Sequence, residues 1–343
     1  MDVRQSFLRQ SAACADLGSP FTALLCRTIG ENLIADCAVA DTLLGWSGDA
    51  AADALALRLC GALHMLVRSG KAAALAPLYP PADPPSAECL RQAVRSTFVD
   101  HESDILGVLA SPPQTNEVAR SAVLLGGFLT IAAETRRPLD LIEIGASAGL
   151  NLNWDRYGYR LGATVWGDQG SLVQISADWR STSLPPHIRP EIQRRAGCDR
   201  NPLDPASPHD RERLLSYVWP DQPARLVRLE AALNLAANLG TRVERMDAAA
   251  FVARELMRPA EGATRVIYHS IVWQYLPQAI REAIAQTIEE AGAIASPRTP
   301  VAWLAFEPDG RGDGAALTLR LWPNGETKVL ARADFHGRWV AWA

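Results

Sequence analysis

A glycine-rich stretch that directly follows an apolar run is the part of this sequence best suited to hold a ligand. It reads Glu143-Ile144-Gly145-Ala146-Ser147-Ala148-Gly149. Glycine and serine leave room for the backbone of a tight turn to approach a bound molecule closely. The carboxylate of Glu143, near the end of the apolar run, can accept hydrogen bonds from hydroxyl or amino groups. The pattern therefore predicts a ligand-binding turn at the end of a strand.

The place of such a turn in a fold indicates which ligand it would take. In a doubly wound sheet, ligands lie outside the carboxyl ends of the strands, where the strand order reverses. The pattern of an acidic residue followed by a glycine-rich turn resembles that of class I S-adenosylmethionine-dependent methyltransferases. In those enzymes it holds the methionine and ribose portions of the cofactor. This resemblance implies S-adenosylmethionine as the cofactor. The cofactor-binding residues it implies in and after the turn are Glu143, Gly145, Ser147, Gly149 and Asn151.

The same stretch also matches G-x-S-x-G, the nucleophile elbow of α/β-hydrolases, with Ser147 as the nucleophile. Asp309 or Asp313, followed by His336, would complete a triad in the order acid then histidine. An elbow normally follows several strands, however, and residues 1–137 show no alternating strand pattern. No His-Gly-Gly oxyanion stretch precedes Ser147 either. We therefore favour the cofactor turn, with the hydrolase and a tight turn without a ligand as alternatives.

A second acidic residue is expected at the end of the second strand, where it would bind the ribose hydroxyls of the cofactor. Asp168 lies nineteen residues after Gly149, which suits an ordinary Rossmann unit. We prefer Asp199, with residues 155–190 as an insertion that covers the site. Either acid can instead be a solvated turn residue.

A third acid, Asp247, follows the candidate for the third strand. In this type of fold it would face the adenine amino group of the cofactor. Asp247 can also cap a helix that begins at Ala248, and the two functions are compatible.

The end of the fourth candidate strand carries residues that would face the transferred methyl group. His269 is the candidate general base, because its protonation state is adjustable near neutral pH. Trp273 and Tyr275 would face the sulfonium and the substrate through their rings. All three can instead be core residues.

Four polar residues lie at the start of the last predicted helix before the sheet. We expect them to contact the substrate or to form part of a lid. They are Gln114, Asn116, Glu117 and Arg120. Asn116 can also cap a helix that extends to about Thr135, and capping explains Glu117 without any function.

The pattern of apolar residues changes near residue 137. Residues 1–137 are rich in alanine and leucine, with apolar residues three and four positions apart, and this predicts helices. From Pro138 onward, short apolar runs alternate with helical segments, which predicts a mostly parallel sheet. The predicted strands are 139–144, 242–246, 265–272 and 300–306, and the predicted helices are 211–239 and 277–291.

Two hairpins complete the prediction. One lies within 157–179 around Gly167–Gly170, and the other places Asn324-Gly325 between strands 316–322 and 327–333. The fold class is therefore α/β: a Rossmann-like methyltransferase fold, with a mostly parallel doubly wound sheet and an antiparallel C-terminal hairpin, plus a helical N-terminal domain. The expected domains are residues 1–137, helical and lid-forming, and residues 138–343, with the insertion at about 155–190.

Composition and charge exclude several classes of function. With 48% hydrophobic residues, the 343-residue chain has enough apolar material for two domains. Its formal net charge of -4 argues against a nucleic-acid binder that neutralises phosphates. The longest apolar run, Ala122–Ala133, is too short to span a bilayer. We expect a small-molecule substrate, with no nucleic acid and no membrane as partners.

The cysteines indicate a reducing compartment. None of the six has C-x-x-C spacing, and the histidines do not cluster near them. This favours reduced, mostly buried thiols and argues against a metal site. The N-terminal residues lack the apolar segment of a secretory signal, so a cytoplasmic location is expected.

Several stretches together resemble a bacterial family catalogued as domain of unknown function 2332. The stretches are Gln114–Glu117 with Arg120, Ile142–Leu152, Gly197–Asp204, Val218–Gln222, and His269-Ser270 with Tyr275–Pro277. The resemblance covers about residues 20–310 and implies a methyltransferase-like fold with a helical N-terminal region. Cys198 stands where an aliphatic residue is more usual in the family. The leading hypothesis is an S-adenosylmethionine-dependent methyltransferase; the alternatives are a hydrolase and a non-catalytic nucleotide-binding module.

Overall fold

The computed structural model describes residues 2–259 and 262–343 of the chain. These residues form two compact units, each discontinuous in sequence. One contains the residues up to Thr115 together with Pro208–Val227, and the other contains Asn116–Ser207 together with Arg228–Ala343. The segment 116–135, expected in the N-terminal helical region, thus belongs to the unit with the sheet.

The regular elements of the described chain are helices up to Thr135, and strands begin only at Leu139, which confirms the helical prediction for this region. The α-helices of the described residues are α1 (Val3–Asp16), α2 (Pro20–Asn32), α3 (Ala38–Leu44), α4 (Leu55–Arg68), α5 (Ala87–Asp100), α6 (Glu102–Leu109), α7 (Ser121–Thr135), α8 (Pro208–Ser216), α9 (Pro223–Asn238), α10 (Ala248–Met257) and α11 (Gln278–Ala293). Short 3₁₀ helices span Ala76–Leu78, Val118–Arg120, Leu150–Arg156 and Trp273–Tyr275.

The strands of the described residues join in one large, mixed and mostly parallel sheet. They are β1 (Leu139–Ile144), β2 (Gly158–Leu161), β3 (Thr164–Gly167), β4 (Gln174–Trp179), β5 (Ile192–Asp199), β6 (Glu244–Arg245), β7 (Thr264–Ser270), β8 (Val301–Pro308), β9 (Ala315–Trp322), β10 (Glu326–Ala333) and β11 (Trp339–Trp342). Their order is β3-β2-β4-β11-β10-β9-β8-β7-β1-β5-β6. The protein is therefore of mixed α/β class.

The strand order of the sheet reverses at β1. From β1 the chain passes to β5 and β6 on one side, and then to β7 and β8 on the other. All five strands are parallel, and β1 is buried along its whole length. A reversal of this kind is the point at which doubly wound sheets bind their ligands.

Helices cover both faces of this central region. On one face, Ile144 of β1 and Trp303 of β8 pack in an apolar cluster with residues of α10 and α11. On the other face, Leu304 lies against Gly127 of α7, where an added Cβ would be 2.4 Å from the Leu304 Cδ1. Because successive side chains of a strand point to opposite faces, Trp303 and Leu304 place the helices on opposite sides.

One apolar segment, Val118–Thr135, is long and hydrophobic enough to cross a membrane by length and composition alone. However, 72% of this segment is buried inside the structure, and α7 packs on β8, β9 and β10. A core helix passes the same test, so the segment is weak evidence for a membrane span.

The two predicted hairpins are present, but one has a different position in the sheet and the other turns at different residues. The β9–β10 hairpin turns at Asn324-Gly325 as predicted, but it is internal, because β11, β4, β2 and β3 extend the sheet beyond β10. The hairpin of the insertion turns at Gly162-Ala163 between β2 and β3, and not at Gly167–Gly170. Gly162 has a φ of 59°, which suits a two-residue hairpin turn.

The predicted helix 211–239 is in fact two helices, α8 and α9, separated by Tyr217–Gln222. Pro220 and Pro223 explain the break, since proline cannot continue a helix but is well suited to begin one. Within the helical unit, this break has a structural function. Asp221 accepts hydrogen bonds from the Ser19 Oγ at 2.5 Å and from the Phe21 N–H at 2.8 Å, and so caps α2 from a distant part of the chain.

We predict that Asp221→Ala lowers the free energy of unfolding of the helical unit by about 1–2 kcal/mol, because the first turn of α2 loses its acceptor. Chemical denaturation followed by circular dichroism measures this change. The matched variant Asp83→Ala, at an exposed position of the same unit, should stay within about 0.5 kcal/mol of the unmodified protein. An unfolding midpoint equal for both variants would contradict the assignment of Asp221 as a cap.

Candidate functional site

The turn after β1 bends through three residues with left-handed backbone. The φ angles of Gly145, Ser147 and Gly149 are 67°, 54° and 72°. A Cβ added at Gly145 would lie 2.4 Å from the Val272 Cγ2, and one at Gly149 would lie 2.8 Å from the Thr241 Cγ2. Both glycines are therefore required by conformation and by space, and Ser147 carries the strain of the turn.

The backbone amides of this turn are bonded within the protein. The Ala146 N–H donates to the Cys198 carbonyl at 2.9 Å, and the Gly149 N–H donates to the Ala146 carbonyl at 2.7 Å. The Ser147 N–H donates to the Asp199 Oδ2 at 3.0 Å. The Leu150 N–H donates to the Asn116 Oδ1 at 3.0 Å. Side chains from two other segments thus hold the turn in place.

The cluster before α7 is largely structural. Asn116 does not cap α7 as predicted, because its side chain serves the Leu150 amide instead. Glu117 caps the 3₁₀ helix Val118–Arg120 by accepting from the Ala119 N–H at 3.1 Å. Asn151, predicted to bind cofactor, is buried and donates from its Nδ2 to the Glu117 carbonyl at 3.4 Å. Asn116 and Glu117 therefore lie against the turn and its continuation.

The other two residues of that cluster lie in different surroundings. Arg120 donates to the Phe335 carbonyl at 2.9 Å and to the Ser270 carbonyl at 3.3 Å, so it lies at the carboxyl end of β7. Gln114 belongs to the helical unit, whereas the turn belongs to the other unit.

Glu143 is a buried acid inside the sheet. Its side chain is 2% exposed, and its Oε2 accepts a hydrogen bond from the Tyr268 hydroxyl at 3.1 Å. Desolvation raises the pKa of Glu143 to about 8, with a smaller contribution from the charge of Asp199. The hydrogen bond from Tyr268 and the charge of Arg120 oppose this rise in pKa. Glu143 is therefore held as a neutral acid at pH 7.

Asp199 and Asp247 lie at the carboxyl ends of strands, as predicted. Asp199 is the last residue of β5, next to the turn, and its Oδ1 also accepts from the Asn201 N–H at 2.8 Å. Asp247 follows β6 and caps α10 through its Oδ1, which accepts from Ala249 N–H at 2.9 Å and Ala250 N–H at 3.2 Å. Asp168, the alternative to Asp199, is exposed just after β3, outside this central region.

A cavity of about 170 Å³ lies where the turn and these two acids meet. Its walls are mainly apolar, with Asp199, Asp247 and Arg200 as the charged residues among the lining. The remaining lining residues are Ile144, Gly145, Cys198, Met246, Ala248, Val272, Tyr275, Leu276, Pro277 and Ile280. Burial raises the pKa of the Cys198 thiol to about 12, so this lining residue stays protonated.

His269 is buried at the end of β7 with both ring nitrogens bonded. The Trp303 Nε1–H donates to the Nε2 at 3.0 Å, which leaves the proton on the Nδ1, 2.7 Å from the Glu307 Oε1. The ring also stacks on Trp273, with centroids 4.8 Å apart. In this arrangement the lone pair of the Nε2, which a general base needs, already accepts the Trp303 N–H. The catalytic function of His269 stays a prediction.

Sequence reasoning missed Glu307, which organises the loop after β7. Besides His269, the Glu307 Oε1 accepts from the Val272 N–H at 3.0 Å and the Trp273 N–H at 3.2 Å. Ile271, just before this loop, has a φ of 52°, which is strained for a β-branched residue. The only sequence signal was an acid at the end of the predicted strand 300–306.

Trp273 and Tyr275 lie on the loop that Glu307 holds, in the 3₁₀ helix Trp273–Tyr275. Trp273 is half-buried against His269, whereas Tyr275 is 69% exposed and lines the cavity. Only Tyr275 of the pair therefore borders the space available to a ligand near the turn.

The geometry around Ser147 does not form a hydrolase triad. Within residues 2–259 and 262–343, the Ser147 Oγ is buried without a hydrogen-bond partner, so the contact from nucleophile to base is absent. Asp309 and Asp313 both pair with Arg332, at 2.5 Å and 2.9 Å. No strand of the described residues precedes β1, in contrast to an elbow that follows several strands.

All six cysteines are free thiols, and Cys14, Cys26, Cys60 and Cys198 are buried. Over the described part of the chain, no group of three or more His, Cys, Asp or Glu side chains is placed to hold a metal ion.

Comparison with protein families assigns the chain to one of them. Residues 4–342 match the family described as "Uncharacterized protein conserved in bacteria (DUF2332)". Because the match covers nearly the whole chain, the protein belongs to this family. Comparisons with curated proteins and with solved structures gave no match.

We predict a pH-dependent effect of Glu143→Gln on stability. The pKa of Glu143 rises from its ordinary value of 4.5 to about 8 in the folded protein. Between these values the folded state holds a proton that the unfolded state releases, so stability falls as the pH rises, by about 1.4 kcal/mol per pH unit at most. Glutamine removes this penalty while it preserves the shape of the side chain.

The variant should therefore gain about 2–3 kcal/mol over the unmodified protein when the pH is raised from about 5 to about 7. Urea denaturation at the two pH values measures the difference. Glu326→Gln, at an exposed position of β10, serves as the matched control and should show no such gain. A gain for Glu143→Gln that is the same at both pH values would rule out a neutral buried acid.

Proposed function

We propose that this protein binds S-adenosylmethionine at the carboxyl end of β1 and is a methyltransferase for a small-molecule acceptor. The observation that carries the proposal is the convergence of the glycine turn, Asp199 and Asp247 on one mainly apolar cavity. These three features follow β1, β5 and β6, which are adjacent strands on one side of the reversal point. A Rossmann-like methyltransferase fold for this unit is part of the proposal.

The cavity suits the adenosyl part of the cofactor. Met246, Ile280 and Tyr275 offer apolar and aromatic surface to a purine ring. Asp247 uses its Oδ1 for both cap bonds to α10 in the described structure, and its Oδ2 can accept from the adenine amino group. A carboxylate has about four acceptor positions, so Asp199 can still accept from ribose hydroxyls after its two backbone bonds.

The residues beyond the cavity suit the methionine portion and the acceptor. Glu143 offers a carboxyl group beside the turn, with Arg120 near enough to influence its pKa. When bound, S-adenosylmethionine supplies an electrophilic methyl group on a sulfonium. The protein's task is then mainly to orient the acceptor in line with that methyl group. Glu307 contributes by holding the loop that carries Val272 and Tyr275.

His269 fits this proposal first as an orienting residue. Its hydrogen bonds to Glu307 and Trp303 fix the ring at the end of β7. It can act as a base only for an acceptor that replaces the Trp303 N–H at the Nε2. A non-catalytic binding module would use the same cavity, and formation of S-adenosylhomocysteine with an acceptor distinguishes it from an enzyme.

We predict that S-adenosylhomocysteine binds the unmodified protein in isothermal titration calorimetry, and that Asp247→Ser weakens binding about tenfold or more. Serine keeps the cap of α10 but removes the carboxylate offered to adenine. Asp168→Ser is the matched control and should bind as the unmodified protein does. Absence of binding to the unmodified protein at millimolar ligand would defeat the cofactor assignment.

A further inference from the structure

Glycine turns at the ends of strands often bind phosphate, but most N–H groups of this turn already donate to acceptors within the protein. Phosphate is held there by free backbone N–H groups and by the positive end of the following helix. Here the N–H groups of Ala146, Ser147, Gly149 and Leu150 all donate to acceptors within the protein. These amides are not available to an anion unless the protein gives up its own bonds.

The segment after the turn is equally unsuited to an anion. Leu150–Arg156 is a short 3₁₀ helix with non-helical backbone at Asn153, and not the long α-helix of a dinucleotide site. The Leu152 N–H of its first turn donates to the Gly149 carbonyl at 3.2 Å. No extended row of peptide dipoles therefore points at the turn.

A carboxylate already lies at the place where a phosphate would bind. The Asp199 Oδ2 accepts the Ser147 N–H at 3.0 Å, and Asp199 lines the cavity together with Gly145. Asp247 adds a second negative charge to the lining. The cation in the lining is Arg200, which is exposed, and its carbonyl accepts from the Arg245 Nη1 at 3.0 Å. The charge at the turn itself is therefore negative.

We propose that Asp199 is a specificity-determining residue that makes this site select adenosyl ligands without phosphate groups. Its carboxylate takes the anion position of the glycine turn and repels a nucleotide phosphate, while its remaining acceptor positions serve ribose hydroxyls. This inference rests on the proposed function and narrows it: the site takes nucleosides and their thioethers or sulfonium derivatives, and rejects mononucleotides and dinucleotides.

Calorimetric titration with adenosine, AMP and S-adenosylhomocysteine tests this proposal. The unmodified protein should bind adenosine at least about tenfold more tightly than AMP, because like charges in a partly buried site repel strongly. In Asp199→Asn, which keeps the shape and one acceptor for the Ser147 N–H, this preference should fall at least about threefold. Asp168→Asn should leave the preference unchanged.

The outcomes separate this proposal from the cofactor assignment. AMP binding as tight as adenosine binding in the unmodified protein overturns the proposal, as does an undiminished preference in a folded Asp199→Asn variant. The ratio in the unmodified protein is a sufficient test if that variant does not fold. If adenosine is preferred over AMP while S-adenosylhomocysteine fails to bind, the selectivity holds and the cofactor assignment falls. If adenosine does not bind but S-adenosylhomocysteine does, the selectivity proposal is overturned and the cofactor assignment stands. If neither ligand binds, both are overturned.

Discussion

The candidate site depends on how the strained turn after β1 satisfies its backbone. A turn with left-handed residues inside a sheet exposes N–H groups that cannot reach water, and an unpaired buried amide costs about 1–3 kcal/mol. The protein solves this with two long-range side chains, Asn116 from before α7 and Asp199 from the end of β5. The bond from Asp199 also places a negative charge next to the turn, whereas the bond from Asn116 is neutral.

Buried polar groups around the turn form a second level of organisation. Glu143 with Tyr268, and Glu307 with His269, place acids and their partners inside or at the end of adjacent strands. In a low-dielectric interior such pairs hold fixed geometries, because a broken bond leaves a costly unpaired group. The loop after β7 is thereby fixed next to the cavity, with Ile271 in a strained conformation that its surroundings maintain.

Local patterns in the sequence predicted what local physics determines. β1 was predicted with its observed limits, since a continuous apolar run ended by Gly145 has one simple interpretation. Asp199 was correctly placed at a strand end, and Asp247 at a helix start. The methyltransferase function itself stays a proposal, because the family match names no reaction.

Long-range contacts could not be predicted from the sequence. Nothing near Asn116 indicates that it serves Leu150, and nothing near Glu307 indicates that it binds the loop at Val272. The hairpin of the insertion was misplaced because Gly167–Gly170 resembles a turn as strongly as Gly162-Ala163 does. The prediction of one long helix over 211–239 was wrong. Its apolar residues at helical spacing were given more weight than the two prolines that interrupt it.

The discontinuity of the helical unit has a consequence for biosynthesis. Residues up to Thr115 leave the ribosome well before Pro208–Val227, yet α2 receives its cap from Asp221 in that later segment. The cap of α2 therefore forms only after β1–β5 of the other unit have been translated, whereas β6–β11 are still to be synthesised. The helical unit is thus completed partway through synthesis, although its first residues are the first to emerge.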